Sequence, residues 1–417
     1  MNVYLVGGAV RDALLDRPIK DRDWVVVGSS PEHMLTNGYQ QVGNDFPVFL
    51  HPDSGEEYAL ARTEKKVGEG YGGFECYAGD DVSLEEDLSR RDLTINAMAQ
   101  ADDGKIIDPF NGQTDLDNKI LRHVSDAFIE DPLRVLRVAR FLARYGNLGF
   151  SIATETLDLM ANISQSGELE ALTIERVWAE TEKALSEPCP RAYFETLRQC
   201  GALAALFPDI DALFGIPQPE KHHPEIDTGI HILMALDQAV ICSQNFNESD
   251  KLAVRFSAIT HDLGKGKTPA EELPAHHGHE TISEFLTKNL CKQYKVPNHA
   301  ARIATLVARH HTQCHRAFEL KPSTLMRLLE SLDVLRRPET LTLFIAACEA
   351  DARGRTGLED THYPQADYLI DAAQVIKKID PKTLIDLGFL GAALGSEMRE
   401  RRIRLLKDLK KNYTQTS

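Results

Sequence analysis

The stretch Leu5-Val6-Gly7-Gly8-Ala9-Val10-Arg11-Asp12, with Lys20-Asp21-Arg22-Asp23-Trp24-Val25-Val26-Val27 behind it, decides how the first part of this chain folds. Apolar residues running into two glycines predict a strand that turns sharply into a helix, and such a turn presents backbone N–H groups to phosphate. Asp21 and Asp23 stand one residue apart where a second strand begins. Side chains on a strand repeat every second residue, so both carboxylates fall on one side of the chain. Paired hard oxygen ligands suit Mg²⁺, which keeps its other positions for water and phosphate. Turn and aspartates together point to a nucleoside triphosphate site, with Gly8 and Arg11 as phosphate contacts. Taken alone, Asp-x-Asp also suits a solvated start of a strand.

Working outward, Val3–Val6, Trp24–Val27, Pro47–Leu50 and Tyr58–Ala61 read as strands, and Val10–Leu15 and Pro31–Asn37 as short helices. The glycine-rich run Gly68–Gly73 predicts a mobile loop. From about residue 120 the periodicity becomes helical. A helix opening at Glu130 has Pro132 in its first turn and acids where the helix dipole favours them. Others are predicted over 154–163, 173–186 and 191–202, and the proline-rich stretch 214–219 marks a domain boundary.

A chain of 417 residues exceeds one ordinary core and predicts several domains. No apolar run is long enough to span a bilayer, and no signal peptide is apparent at the N-terminus. The seven cysteines are scattered without Cys-x-x-Cys spacing, which favours a reducing cytoplasm over a disulfide frame or zinc knuckle. By itself a formal charge of −16 argues weakly against nucleic-acid binding, though basic residues can gather on one face. The basic segment from Arg401 to Lys411 reads as a solvated terminal helix.

Three further clusters carry chemistry. In Arg90-Arg91-Asp92-Leu93-Thr94-Ile95-Asn96, Arg91 is a candidate phosphate or sugar contact, and Arg90, Asp92 and Asn96 suit a hydrogen-bonded support network. Asp108-Pro109-Phe110-Asn111-Gly112 is a turn that aims the next helix. On the helix opening at Glu130, Asp131 and Arg134 share a face that Arg137 and Arg140 continue. Such a stripe suits a salt-bridged surface, or an Asp–Arg pair presenting donors and acceptors to a nucleobase while further arginines meet phosphate.

Gly-Gly-x-Val-Arg-Asp, Asp-x-Asp, Arg-Arg-Asp-Leu-Thr-Ile-Asn-Ala, Asp-Pro-Phe-Asn-Gly and Glu-Asp-Pro-Leu-Arg-Val-Leu-Arg-Val-Ala-Arg-Phe occur in that order. This series resembles the bacterial class II tRNA nucleotidyltransferases of the polymerase-β superfamily, and Glu175-Arg176-Val177-Trp178 resembles their last helical motif. The resemblance implies an α+β protein: a polymerase-β-like head with a small mixed sheet over 1–120, then all-α neck and body over 121–220. It implies Mg²⁺ at Asp21 and Asp23, the catalytic pair, and nucleotide contacts from Gly8, Arg11, Arg91, Arg137 and Arg140. Asp131 and Arg134 then read C or A, and the tRNA 3′-hydroxyl attacks CTP or ATP. The superfamily's third carboxylate is assigned here only by strand alternation, to Glu57.

The last constellation is His231, His261-Asp262-Leu263-Gly264-Lys265, His276-His277-Gly278-His279, His310-His311 and Asp351. Imidazole and carboxylate ligands suit transition metals. The set resembles the HD phosphohydrolases, placing such a domain over 225–335 and a helical tail over 336–417. His231, His261 and Asp262 are the first ligand choices; His279, His310 and Asp351 complete the set, with His276, His277 and His311 as competitors. Head and HD domain together resemble the multifunctional CCA family. That implies 2′,3′-cyclic phosphodiesterase, 2′-nucleotidase and phosphatase activities, a preference for Ni²⁺ or another transition metal, tRNA, CTP and ATP as partners, no membrane, and a monomer or homodimer. The rivals are a poly(A) polymerase, an HD hydrolase whose head only binds tRNA, and a specialist adding CC or A alone. The loop Val67–Tyr77 favours full CCA addition, since exchanging templating side chains needs a mobile element.

Overall fold

The chain opens with β1 (Asn2–Val6), α1 (Gly8–Leu14), β2 (Asp23–Val27) and α2 (Pro31–Thr36), followed by β3 (Gln40–Val42), β4 (Val48–Leu50) and β5 (Glu57–Leu60). An antiparallel pair, β6 (Thr63–Lys66) and β7 (Phe74–Tyr77), then α3 (Leu84–Ser89), β8 (Ala99–Gln100), β9 (Ile106–Ile107) and α4 (Gly112–Asp117) follow. This computed structural model describes residues 1–19, 21–42, 48–66, 74–220 and 224–416. Of the loop expected over 67–77, residues 67–73, including Gly68–Gly73, lie outside the described residues, as does Pro47, and Phe74–Tyr77 is strand β7 and not loop.

The head sheet runs β3-β4-β5-β2-β1-β8-β9. Its mixed character fixes the site. β1 and β2 are antiparallel, so Val6 at the end of β1 lies opposite Asp23 at the start of β2. Gly7 follows at φ +69°, a left-handed conformation that glycine adopts without steric cost, and α1 leaves from it. The glycine turn and the aspartate therefore reach the same end of the sheet. β5 runs parallel to β2 with Glu57 beside Asp23. Val6, Val25, Ala61, Leu88 and Ala99 form a core on the face that Asp23 shares with Val25 by alternation.

The neck helix α5 (Leu133–Tyr145), then α6 (Thr154–Gln165), α7 (Ile174–Ser186), α8 (Pro190–Gln199) and α9 (Ala202–Leu206) complete the first compact unit, Met1–Leu206. α5 starts three residues later than the sequence predicted. Asp126–Glu130 forms a 3₁₀ turn, and Asp131 is extended at φ −117°, ψ 99°. The cause is Pro132, whose ring pushes the preceding residue out of the helical region. Asp131 and Arg134 are thus not two positions on one helix face. The turn at 108–112 behaves as read: both oxygens of Asp108 accept from the first N–H groups of α4, those of Gly112 and Gln113.

The second unit, Phe207–Ser417, begins before the proline-rich stretch at 214–219 and is helical apart from an isolated bridge between Pro217 and Asp227, among its described residues. It contains α10 (Pro208–Asp211), α11 (Thr228–Cys242), α12 (Glu248–Thr260), α13 (His279–Gln293), α14 (Asn298–His315), α15 (Pro322–Ser331), α16 (Pro338–Arg353), α17 (Pro364–Lys377), α18 (Pro381–Asp386) and α19 (Gly391–Thr416). Helices α11, α12, α14 and α16 pack against one another, bringing histidines from distant sequence positions inward.

Candidate active sites

A cavity of about 600 Å³ opens beside Gly7, Gly8 and Asp23. Among the described residues, nine arginines line it against three aspartates, so a strongly acidic chain concentrates positive potential in one concave place. Asp23 is exposed in this lining, and Asp21 is exposed immediately before β2. Among the described residues no hydrogen bond or ion pair holds either carboxylate, so their oxygens are available to a hard cation.

The wall itself is a network of fixed charges. Arg11 is 2.8 Å from Asp12, donates to Asn96 Oδ1, and packs 5.3 Å from the Phe141 and Tyr145 ring centres. Arg90 and Arg91 both hold buried Asp87, at 2.7 and 3.2 Å. Arg137 is 2.7 Å from Asp92, which also accepts from Asn96. Burial opposes ionisation of Asp92, but the Arg137 guanidinium and the Asn96 amide outweigh it and hold the carboxyl well below the usual range. Of the support network read around Arg90, Asp92 and Asn96, the Asp92–Asn96 bond is present while Arg90 turns to Asp87 and the Arg62 carbonyl, and Arg91 also lines the cavity. Arg140 reaches Glu180 on α7 at 2.6 Å.

The expected base-reading pair is differently engaged. Arg134 donates to the carbonyls of Ala127 and Arg90 at 2.8 and 2.6 Å, and Asp131 pairs with Arg176 at 3.2 Å. Arg62, Arg144 and Arg176 line the cavity although the sequence reading gave them no role. The Glu-Arg-Val-Trp motif at 175–178 carried a signal for Arg176; nothing local marked the other two.

The second site is the histidine cluster of the helical unit. His231, His261 and Asp351 bring one ligand atom each within 4.8 Å of one another, as do Asp262, His279 and His311. Asp262 joins the groups: Oδ2 is 3.2 Å from His261 Nε2, and Oδ1 is 3.3 Å from His279 Nε2. The sequence reading placed His310 here, and the structure places His311. Consecutive helical residues point about 100° apart, so only one of the pair faces inward; His310 is half-buried outside the cluster. His276 instead bridges Thr268 and the Pro217 carbonyl.

Ring orientation fits a metal. Nδ1 of His231, His261, His279 and His311 lies 3.0, 2.9, 2.7 and 3.1 Å from the carbonyls of Gly354, Ala258, His276 and Val307. A carbonyl only accepts, so each Nδ1 carries the proton and each Nε2 turns its lone pair inward. Among the described residues, His261 Nε2 and Asp262 Oδ1 are buried without an aligned hydrogen-bond partner. Such orphaned atoms are what a cation would satisfy. Without one, burial pushes His261 down, but Asp262 and Asp351 win and carry it up to about 9. For His311 burial is the largest influence and, with the neighbouring His261 and His279, outweighs Asp262 and Asp351, holding it well below the ordinary imidazole range. A cavity of about 650 Å³ gives access to Asp262, His279, His311 and Asp351.

Carboxylates and a phosphate-accepting turn in one unit, and a histidine–aspartate cluster in the other, define a nucleotidyltransferase head joined to an HD-type domain. Comparison with known proteins agrees. Residues 3–122 match the family described as "Poly A polymerase head domain", 149–214 match "Probable RNA and SrmB- binding site of polymerase A", and 228–380 match "HD domain". The multifunctional CCA protein of Hahella chejuensis is 57% identical over 99% of this chain and 96% of its own length. That of Alcanivorax borkumensis is 58% identical over 98% of each. At this likeness, the chain belongs to the multifunctional CCA protein family. Its fold is similar to that of the Thermotoga maritima CCA-adding enzyme solved in complex with tRNA-CCA, with TM-score 0.64, 21% identity, and coverage of 100% of this chain and 91% of that one.

Proposed function

We propose that this chain builds and repairs the 3′-terminal CCA of tRNA from CTP and ATP in its head, and hydrolyses phosphate esters at its histidine cluster. The observation carrying the reading is the meeting of the Gly7-Gly8 turn with Asp23 in an arginine-walled cavity. The tRNA 3′-oxygen bonds to the α-phosphorus, the bond to pyrophosphate breaks, and the hydroxyl proton leaves to solvent. Asp21 and Asp23 would hold Mg²⁺, which when bound neutralises the triphosphate and eases hydroxyl attack. Gly8 and Arg11 sit at the turn for the phosphates, and Arg91 and Arg137 extend the positive wall. Arg140, also in that wall, is braced by Glu180. For Asp131 and Arg134 to read a base edge, Arg176 must release Asp131, and Arg134 must release a carbonyl. Loss of C incorporation in both Asp131→Ala and Arg134→Ala, with A-only extension of tRNA-CC kept, is not expected; both additions should fall.

His231, His261 and Asp351, with Asp262, His279 and His311, would hold one or two transition-metal ions, Ni²⁺ among them, which polarise a phosphoryl oxygen and activate water. The substrates fitting this pairing of sites are 2′,3′-cyclic phosphates, 2′-phosphates and phosphomonoesters at a damaged tRNA end. Such work belongs in the cytoplasm, where all seven free cysteines would stay reduced. The test is gel-resolved extension of tRNA lacking CCA, run beside phosphatase assays with and without Ni²⁺. Asp21→Ala should abolish extension and spare hydrolysis. A long A tail without C would reject CCA addition in favour of poly(A) synthesis, and an Asp21→Ala protein that still extends tRNA would remove the carboxylate pair from catalysis.

A further inference from the structure

Asp351-Ala352-Arg353-Gly354-Arg355 ends α16 and leads into a loop held on both sides. Arg353 binds Glu349 at 2.7 Å and the Thr361 carbonyl at 3.0 Å. Gly354 packs so closely on α11 that a Cβ would stand 2.5 Å from the Ala235 backbone, and its carbonyl accepts a hydrogen bond from His231 Nδ1. The next residue, Arg355, is consequently aimed into the cavity of the histidine cluster.

Arg355 differs from the other cations of that cavity. Lys265 is 2.6 Å from Asp262, and Arg316 is exposed and 2.6 Å from Glu319. The Arg355 side chain is only 19% exposed, and its nearest acid, Asp351 Oδ1, stands 3.6 Å away, beyond hydrogen-bond range. Its buried Nε has no hydrogen-bond partner among the described residues. Asp351 Oδ1 is committed to the cluster, 3.1 Å from His231 Nε2. A guanidinium beside a site built to hold divalent cations is repelled by them unless an anion lies between. Planar, with parallel donors, it matches phosphoryl oxygens.

We propose that Arg355 is the phosphoryl-binding residue of the histidine cluster, gripping the phosphate of a phosphomonoester, whether free in solution or on a nucleotide end. This rests on the phosphohydrolase reading above for its metal, but not on turnover for its test. The full chain loaded with Ni²⁺ is titrated calorimetrically with inorganic phosphate and, separately, with 2′-AMP, as wild type, Arg355→Gln and Arg355→Lys. Arg355→Gln should weaken both ligands by about 10- to 100-fold, the range of a charge-assisted hydrogen bond. Arg355→Lys should fall between, keeping charge but losing the fork. Ni²⁺ affinity, titrated alone, should stay within about twofold in both variants. Weakening of 2′-AMP alone would assign Arg355 to the nucleoside and overturn the proposal. Unchanged phosphate affinity, or Ni²⁺ affinity falling in parallel, would also overturn it and make Arg355 a prop for Asp351. Phosphate binding lost in Arg355→Gln while wild type turns over no phosphomonoester would uphold the anion site and refute the phosphohydrolase reading.

Discussion

The pair Arg140–Glu180 allows a strict test of which arginines in the head wall meet nucleotide and which hold the wall in place. Arg140 Nε is 2.6 Å from Glu180 Oε2, with side-chain exposures of 8% and 6%, and Glu187 adds a partner at 3.9 Å. Glu180→Leu strands a buried guanidinium, a change that costs about 3–5 kcal/mol when nothing compensates. Glu187 compensates in part, so about 3 kcal/mol is expected. For a unit of 206 residues, each kcal/mol moves the melting temperature by about 2–4 °C, giving a fall of about 6–12 °C in the head transition. Arg140→Met leaves Glu180 with only Lys183, 3.8 Å away and largely exposed, and should cost a similar amount. Arg140→Met/Glu180→Leu removes both charges and should lie within about 1 kcal/mol of wild type, since an apolar replacement of a buried pair is often neutral. The assay is a double-mutant cycle by scanning calorimetry of the full chain, with the KM for CTP measured on each variant. Additive effects, with coupling below about 0.5 kcal/mol, would refute the buried-strut account. A stable double variant whose KM for CTP rises tenfold or more would return Arg140 to direct nucleotide contact.

Three other outcomes follow from the geometry. His311→Ala should weaken Ni²⁺ binding by about 10-fold or more while His310→Ala leaves it unchanged, measured by calorimetric titration; the reverse order would restore His310 as the ligand. Gly354→Ala drives a Cβ to 2.5 Å from the Ala235 backbone and should cost the helical unit about 1–3 kcal/mol, read as a lower melting temperature, together with looser Ni²⁺ binding as His231 loses its fixed carbonyl. Asp92 has a folded pKa below its unfolded value of about 3.9, so its contribution to stability is complete above that value and is lost as pH falls through it toward the folded one. Urea midpoints taken between pH 6 and pH 3 should therefore drop more steeply for wild type than for Asp92→Asn, and equal slopes would deny that the Arg137 pairing sets this carboxyl.

Local signals were legible in the sequence, and phase and distance were not. β1, β2, β4 and β5 were readable because apolar runs bounded by glycine, proline or aspartate have few alternatives. β3, β8 and β9, at two or three residues each, carry no period of their own and exist only because neighbouring strands pair with them. The start of α5 was misplaced because acids before a proline suit both a helix's first turn and an extended lead-in, and proline sterics decide for the second. Arg62 and Arg144 have no motif around them; they join the cavity through tertiary folding alone.

The histidine cluster makes the same point more sharply, and it bears on how the site works. A run such as His310-His311 announces a ligand without saying which ring faces inward, since one residue along a helix turns the side chain by about 100°. The structure answers through backbone carbonyls: four rings direct Nδ1 outward to a carbonyl, so four Nε2 atoms converge. Two of those carbonyls, of His276 and Gly354, belong to loops rather than to helices. Ring orientation thus depends on loop geometry, and the loop that orients His231 is the one that presents Arg355 to the cavity. A substitution that shifts the Gly354 carbonyl must therefore disturb metal and phosphate binding together, whereas one confined to the Arg355 side chain must separate them. Comparing Gly354→Ala with Arg355→Gln in the same two titrations distinguishes a shared scaffold from a shared ligand.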